Sequence, residues 1–340
     1  MAKPQKEFYG YITESSTKGN SLLDYTESPA TAFLKSVNEA KNASVACLRQ
    51  FKKNKEGEYT QPSIRSIQLI NAGLLATIMG NFETFQKYLF AGVFEYSIYL
   101  RKFELKSFFT KINTSNGSSA SIDLERFAAF RDNQTAVGLI LADNLKNWQS
   151  AHCVNSYFRA FGLRDAHNHQ IDIISADTRE SLSVLWQMRH SIVHTASTIS
   201  IPDAQKVPKL HGFGDKVIAL EPQFISEVAR KFHPIIKEIT DNIGDLFKNN
   251  MRIDLSADIK HKIDNLFLVD STYNENAYIF FHKNPKDTLY LKDLKAFEKD
   301  EEVVWECRNC GHLHIGVKSP KVCPVCAHPE SYFEVRKENY

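Results

Sequence analysis

The sequence predicts a mainly α-helical protein that ends in a small, β-rich metal-binding module. Apolar residues recur at helical spacing through most of the chain of 340 residues, and 43% of the residues are hydrophobic, enough for a sizeable core. Two Cys-x-x-Cys pairs lie near the C-terminus. We expect four regions: an N-terminal arm and helix over 1–60, a helical bundle over 61–250, a connecting segment over 251–302 and the cysteine module over 303–340.

The individual helices follow from apolar periodicity and from the residues that interrupt it. Helical spacing predicts helices over residues 29–51, 62–111, 122–148, 222–250 and 256–269. Gly80 is expected to divide the second of these helices, and Pro234 to bend the one that begins at Pro222. One more helix is expected to begin after a cap at Ser175 or Asp177.

Two stretches are predicted to be non-helical. Residues 199–220 contain two prolines and two glycines, so we expect a long loop there. Residues 277–283 and 287–293 have the composition of short strands.

Charge and composition limit the classes of function. The formal net charge is +2 and no region forms a basic tail, which argues against a protein that coats DNA tightly but allows brief contact with RNA. The N-terminus has no apolar run typical of a signal peptide, and the longest apolar stretch is too short to span a bilayer. We expect a soluble cytoplasmic protein without membrane contact.

Four cysteines have the spacing of a metal site. Cys307, Cys310, Cys323 and Cys326 follow the pattern Cys-x2-Cys-x12-Cys-x2-Cys. Each pair places two thiolates on one side of a tight loop, so the two loops can complete a tetrahedron around one ion. Zinc and iron both accept four thiolates, and the spacing does not separate them. Of the two, a structural zinc ion is the favoured interpretation.

The residues around these cysteines resemble the rubredoxin-like module at the end of rubrerythrins. The matching features are Trp305, the Cys-x-x-Cys-Gly and "CPVC" motifs, His328-Pro329 and Phe333. The resemblance covers about forty residues and implies, as an alternative, electron transfer through iron. In rubrerythrins this module accompanies a di-iron helical bundle with Glu-x-x-His motifs. No glutamate of this sequence has a histidine three residues later, so that partner is not expected.

The segment "LWQMRHSIVHT" at residues 185–195 carries a charge on an apolar helical face. On a helical wheel one face collects Leu182, Leu185, Trp186, Ile192, Val193 and Ala196. Arg189 falls in the middle of this face, and His190 and His194 lie side by side at its edge. An unpaired charge on such a face is unfavourable, so we expect a carboxylate, a second subunit or an anionic ligand to contact Arg189.

The stretch "MRHSIVH" resembles the Arg-x4-His motif of HEPN domains (higher eukaryotes and prokaryotes nucleotide-binding). The aromatic-rich segment over residues 82–99 is similar to an early helix of that family, and the resemblance covers roughly residues 62–250. It implies a HEPN-like helical bundle that forms a dimer and cleaves RNA without a metal. The implied catalytic residues are Arg189, His194 and His190, and the implied setting is a toxin or an antiviral-defence effector.

The chemistry of these side chains agrees with that implication. His194 can transfer a proton near neutral pH, and Arg189 can stabilise a phosphate. The two residues point about 140° apart on an ideal helix. A homodimer with its seam around Trp186, Arg189 and Val193 would let Arg189 of one subunit face His194 of the other.

Several alternatives stay open at the level of sequence. Arg189 can pair with a buried carboxylate such as Glu83, which is also the candidate for a supporting acid. A non-catalytic binding or regulatory module and a rubredoxin-type electron carrier are the competing functions. Besides RNA and a second copy of the chain, a protein regulator or antitoxin is an expected partner.

Overall fold

Two compact units make up the chain: a helical unit over residues 1–271 and a C-terminal unit over residues 272–340. The computed structural model describes residues 22–116, 136–270, 298–307, 312–327 and 329–335. The chain is mainly helical and carries a small β-sheet at the cysteines, as the sequence predicts.

The helical unit is built mainly from α-helices. Within the described residues these are α1 (Leu22–Glu27), α2 (Pro29–Gln50), α3 (Gln61–Tyr96), α4 (Leu105–Asn116), α5 (Val137–Asn144), α6 (Ala151–Arg159), α7 (Ala176–His194), α8 (Ile201–Lys206), α9 (Phe224–Asn250) and α10 (Ala257–Leu266). The predicted cap of α7 is confirmed, because the Ser175 side chain accepts a hydrogen bond from the backbone N–H of Thr178.

The long helix α3 forms the centre of the helical unit, where it packs against α2, α5, α7 and α9. The side chain of Phe82 on α3 is fully buried. Its ring centroid lies 5.6 Å from that of Phe33, 5.2 Å from that of Phe232 and 6.2 Å from that of Trp186. These four rings join α2, α3, α7 and α9 in one aromatic core.

The prediction that Gly80 divides this helix is wrong, because α3 continues through Gly80 to Tyr96. A glycine inside a helix is less favourable than alanine by about 1 kcal/mol. Burial of the neighbouring Met79 and Phe82 side chains on the same helix offsets that loss. The predicted region 62–111 is instead interrupted by a 3-10 turn at Ser97–Tyr99, after which α4 begins at Leu105.

The helix predicted over residues 122–148 ends earlier than expected, at Asn144, and its first part, residues 122–135, lies outside the described residues. In the described part of this segment, α5 covers Val137–Asn144 and approaches α3 so closely that a Cβ on Gly138 would lie 2.6 Å from the carbonyl oxygen of Ala91. After α5, Asn147 adopts a left-handed conformation with φ 62°. The Trp148 indole N–H donates to the carbonyl oxygen of Ala142 at 2.9 Å, so it occupies a carbonyl group at the C-terminal end of α5.

The loop expected over residues 199–220 is in fact folded. It contains β1 (Thr198–Ile199), α8, a 3-10 turn (Pro208–Phe213) and β2 (Lys216–Val217). The strands β1 and β2 pair antiparallel. A small hydrophobic cluster of its own holds this segment, formed by Ile199, Ala204, Val207 and Leu210. The prolines begin short helices here instead of preventing them.

The helices α9 and α10 differ from the predicted helices in the residues at which they begin or end. The helix expected from Pro222 begins two residues later as α9, and it continues through Pro234. α10 buries Ile263 and Leu266 in the main core. The segment 251–302, predicted to connect two domains, is therefore divided between the two units.

The C-terminal unit contains a three-stranded sheet in the order β4-β3-β5. Its strands are β3 (Glu298–Cys307), β4 (Leu313–Lys318) and β5 (Phe333–Val335). Both pairs are antiparallel. The strands predicted at 277–283 and 287–293 lie outside the described residues, as does the arm before residue 22. Among the helices that the structure describes, every one is too short or too polar to cross a membrane.

The aromatic core makes Phe82 a sensitive position. Phe82→Ala should lower the free energy of unfolding of the helical unit by about 3–5 kcal/mol, because the cavity removes contacts with three other rings. Urea unfolding followed by far-UV circular dichroism measures this. Leu69→Ala on the exposed side of α3 is the matched control, and it should change stability by less than about 0.5 kcal/mol. Equal losses in both variants would contradict the central position of Phe82.

Candidate functional site

Three cysteine sulfur atoms converge in the C-terminal unit. The Sγ atoms of Cys307, Cys323 and Cys326 all lie within 4.8 Å of one another, and those of Cys307 and Cys326 are 3.7 Å apart. A disulfide would need about 2.05 Å. Two thiolates on one tetrahedral ion lie roughly 3.8 Å apart when the metal–sulfur bonds are about 2.3 Å. The described sulfurs therefore fit one metal ion; Cys310, the predicted fourth ligand, lies outside the described residues.

The sheet and two turns position these sulfurs. Cys307 is the last residue of β3, and its backbone N–H donates to the carbonyl oxygen of His312 at 2.8 Å as the chain turns into β4. In the second turn, the N–H of Ala327 donates to the carbonyl oxygen of Cys323 at 2.9 Å. Ala327 has a φ of 56°, which lets the chain reverse immediately after Cys326.

A small hydrophobic cluster surrounds the sulfurs. Trp305 and Phe333 are buried beside Cys307 and Cys323, and the Trp305 indole N–H donates to the carbonyl oxygen of Gly316 at 2.9 Å. This hydrogen bond ties β3 to β4 next to the site. Cys326 differs from the other two described cysteines because it is only half-buried. The site is thus closed on the side of the sheet and open at the second Cys-x-x-Cys turn.

Comparison with known proteins agrees with this geometry. Residues 305–334 match the family described as rubrerythrin, rubredoxin-like domain. The rubrerythrin of Porphyromonas gingivalis is 51% identical over 51 residues, which are 15% of this chain and 26% of that protein. The rubrerythrin of Clostridium perfringens is 50% identical over 69 residues, 20% of this chain and 32% of that protein. A putative rubrerythrin of Methanocaldococcus jannaschii is 52% identical over 62 residues, 17% of this chain and 30% of that protein.

The chain thus spans between about a quarter and a third of the length of these curated relatives. The likeness concerns the C-terminal part of the chain. Together with the three converging sulfurs, it identifies a rubredoxin-like cysteine metal site in the C-terminal unit, as the spacing and the residues around the cysteines predict.

The helical unit has its own cluster of functional side chains on α7. Trp186 is buried against Phe82 in the core of the same unit. The predicted subunit seam around Trp186, Arg189 and Val193 is therefore wrong for Trp186, because the chain's own core already covers that ring. Val193 remains 49% exposed, so the C-terminal end of α7 is still accessible within this chain.

Arg189 lies half-buried on α7 with an unsatisfied donor. Its Nε–H group is enclosed and has no hydrogen-bond partner among the described residues. Glu83, the predicted supporting acid, forms an ion pair with Lys87 at 3.1 Å on α3. Lys87 also lies 3.5 Å from Asp143. In the described part of the chain no ion pair joins Glu83 to Arg189, so the expected carboxylate contact is not formed by Glu83.

His190 and His194 are brought together at the end of α7. Their ring centroids are 4.8 Å apart, as expected for residues four apart on one helix face. His190 Nε2 lies 4.0 Å from Asp203 Oδ2 on α8. α7 ends directly after His194, and Ala196 and Ser197 both adopt left-handed conformations, with φ of 51° and 64°. This turn brings α8 back beside the histidines.

Asp203 is the residue that sequence reasoning missed. It is buried, and it accepts hydrogen bonds from Lys206 Nζ at 2.6 Å and from Ser200 Oγ at 2.8 Å. These two bonds, with the Lys206 bond as the larger cause, hold the pKa of Asp203 below its ordinary value. The pattern Ser200-x-x-Asp203 is a capping signal, and it would have predicted α8 inside the supposed loop.

Because the pKa of Asp203 is lowered, the stability difference between the Asp203→Asn variant and the unmodified protein should depend on pH. Asp203→Asn should reduce the resistance of the helical unit to urea at pH 7, because the charge-assisted bond to Lys206 is lost. A carboxyl group whose pKa is lowered by folding stabilises the folded state when the pH is above its pKa in the unfolded chain, about 3.9. This contribution is lost as the pH falls through its pKa in the folded protein. The difference between the variant and the unmodified protein should therefore be constant above about pH 5 and shrink below about pH 4. Exposed Asp215 in the same segment provides the control Asp215→Asn, and a difference that grows on acidification would contradict this assignment.

Proposed function

We propose that the C-terminal unit binds one iron ion through Cys307, Cys310, Cys323 and Cys326 and serves as a one-electron transfer module. The convergence of the three described sulfurs within 4.8 Å carries this proposal. Iron held by four thiolates supplies a one-electron couple. The likeness of residues 305–334 to the rubredoxin-like domain of rubrerythrin favours iron over the structural zinc ion that is the preferred interpretation of the sequence.

The surface around the second Cys-x-x-Cys turn supports electron transfer. Cys326 is half-buried, and Val322 and Val325 beside it are 56% and 68% exposed. A structural zinc ion does not require an apolar, accessible edge, whereas transient redox partners meet through small surfaces of this kind. Cys307 and Cys323 are buried, so they hold the ion while Cys326 brings it near the surface.

The metal content tests this proposal directly. Protein produced with equal amounts of iron and zinc in the medium should contain one iron per chain, and its visible colour should bleach with dithionite and return with ferricyanide. Elemental analysis and absorption spectroscopy are the measurements. Cys323→Ser should lose most of the bound metal and unfold the small unit, because metal binding supplies its folding free energy.

Cys47→Ser is the matched control, since Cys47 is half-buried in α2 of the helical unit. It should retain the full metal content and colour. Stoichiometric zinc without a reversible colour change would refute the electron-transfer proposal and support the structural zinc ion instead.

A second candidate function concerns the helical unit: metal-independent cleavage of RNA by a HEPN-type site formed by Arg189, His190 and His194. The observation that favours it is the enclosed Arg189 Nε–H group without a described partner, on the same helix as the paired histidines. An unsatisfied guanidinium donor is unfavourable in a purely structural role, and a phosphate would satisfy it.

The proposed reaction uses the neighbouring 2′-hydroxyl of RNA as the nucleophile. His194 removes its proton or protonates the leaving 5′-oxygen, and the products are a cyclic phosphate and a free 5′-hydroxyl. Arg189 stabilises the charge that develops on the phosphate. His190, next to Asp203, supports the site.

A homodimer solves the geometric problem of this site. Arg189 is half-buried with its Nε–H group enclosed, whereas His194 is exposed at the end of α7, and residues five apart on a helix point about 140° apart. We propose that Arg189 of one subunit and His194 of the other contact one phosphate across a seam near Val193. A toxin or antiviral-defence role with a protein regulator or antitoxin agrees with such a nuclease, and a non-catalytic binding module is the alternative.

The nuclease proposal predicts RNA cleavage in excess chelator that depends on Arg189 and His194. His194→Ala should lower the rate by about a hundred- to ten-thousand-fold, the usual contribution of a positioned proton donor or acceptor. Arg189→Ala should lose a comparable amount. Arg189→Lys should recover little, because an ammonium group cannot form the bidentate contact. Mixing the Arg189→Ala and His194→Ala chains should restore part of the activity.

Two exposed residues provide matched controls for the substitutions. Arg179→Ala on α7 and His152→Ala on α6 remove the same side-chain types at accessible positions, and they should leave the rate unchanged. Full activity in either Arg189→Ala or His194→Ala, or activity abolished by chelator, would contradict the nuclease proposal and favour the non-catalytic binding module.

A further inference from the structure

The helical unit contains an apolar cavity between α7, the 3-10 turn that follows α8, and the beginning of α9. Val184 and Met188 of α7, Leu210 and Phe213 of the turn, and Phe224 of α9 are among the residues that line it. Its volume is about 440 Å³. Sites for small organic ligands usually have volumes of about 300–1,000 Å³ and mostly apolar walls, so the cavity has the size and the lining of such a site.

Two aromatic rings in this lining are accessible to a ligand. Phe213 is 50% exposed, although side chains of this size and polarity are usually buried. Phe224 is half-buried at the edge of the main core. Neither ring contacts another aromatic ring in the part of the chain that the structure describes. Beside them, the flexible thioether of Met188 can adapt to the shape of a ligand.

The charges around the cavity favour a ligand with a positive group. Three of the lining residues are ionisable: Lys209, Glu221 and Glu227. Lys209 Nζ lies 3.0 Å from the carboxylate of Glu180, and Glu227 forms an ion pair with Arg230. Among the described residues, the exposed carboxylate of Glu221 has neither an ion pair nor a hydrogen bond. The charge without a partner at this cavity is therefore negative.

The backbone of Glu221 is held in place beside the cavity. Its carbonyl oxygen accepts a hydrogen bond from Nδ2 of the buried Asn71 on α3 at 2.8 Å. The same oxygen accepts a second one from the backbone N–H of Phe224 at 3.0 Å. The position of this residue is thus fixed, while its side chain remains free to pair with a ligand.

We propose that this cavity binds a small organic cation. Its aromatic body lies against Phe213, Phe224 and Met188, and its ammonium group pairs with the carboxylate of Glu221. Aromatic side chains stabilise both parts of such a ligand, because their faces attract cations and contact apolar rings. A ligand with a carboxylate in place of the ammonium group would be repelled by Glu221. This binding depends on neither electron transfer nor RNA cleavage.

The contact between Lys216 and Phe213 supports this choice of ligand. Lys216 Nζ lies 5.5 Å from the centroid of the Phe213 ring, so this ring already meets an ammonium group in the folded protein. The lysine charge also opposes a second cation nearby. Lys216→Met should therefore increase the affinity for an amine by about two- to threefold.

Three related probes test the proposal on the full chain with its cysteine site filled with metal. Tryptamine, indole and indole-3-acetate share one aromatic body and differ in charge, and ligand-observed NMR titration measures their affinities. Tryptamine should bind about fivefold more tightly than indole, and indole-3-acetate should bind most weakly. Added salt should weaken the binding of tryptamine and leave that of indole unchanged, because only the former involves an ion pair.

Variants at accessible positions separate the apolar contacts from the charge. Phe213→Ala, and Ala219→Trp, which fills the cavity from an exposed position, should each weaken all binding by about fivefold or more. Glu221→Gln should remove the preference for the amine and retain the binding of indole. Glu56→Gln, in the exposed turn between α2 and α3, is the matched control and should keep the affinities of the unmodified protein.

Three results would each overturn the inference. These are equal affinities for tryptamine and indole-3-acetate, an unchanged preference for the amine in Glu221→Gln, and no saturation by tryptamine up to about 10 mM. Circular dichroism verifies that every variant is folded. Metal content and nuclease activity are measured separately, so failure of either proposed function leaves this result unaffected.

Discussion

The helical unit depends on burial of the aromatic face of α3. Phe82 contacts rings from α2, α7 and α9 at once, so the positions of three helices are set by one side chain. Trp186 is the α7 member of this group, and it lies one turn before His190 and two turns before His194. Residues four and eight apart share one helix face, so His194 is exposed because it lies at the C-terminal end of α7, two turns beyond the buried Trp186.

The two units reach stability by different physical means. The helical unit buries an extensive apolar core, in which side chains of α2, α3, α7 and α9 exclude water. Among its described residues, the C-terminal unit buries a small hydrophobic cluster around Trp305 and Phe333. A cluster of that size stabilises a fold only weakly, so metal–thiolate bonds are expected to supply part of the folding free energy at this site.

The arrangement around α7 also connects backbone strain with the candidate site. Ala196 and Ser197 both adopt left-handed conformations that side-chain-bearing residues rarely take. This turn allows β1 and α8 to fold back against the end of α7, and it brings Asp203 within 4.0 Å of His190. A relaxed turn would direct the following segment elsewhere and separate the carboxylate from the imidazole. Strain of this kind persists only where surrounding contacts compensate, here the pairing of β1 with β2.

The sequence by itself determined the class of the fold, most helix positions and the cysteine metal site. Helical periodicity and cysteine spacing are local patterns, and they predicted α2 almost to the residue and three of the ligands that the structure describes. Only the tertiary structure decided that α3 continues through Gly80, that Trp186 belongs to the core and that Glu83 pairs with Lys87. It also decided that Asp203 faces His190 across a segment expected to be a loop. These outcomes depend on which distant side chains meet, because the same apolar face of a helix can be buried by its own chain or by a partner, and periodicity is identical in both cases.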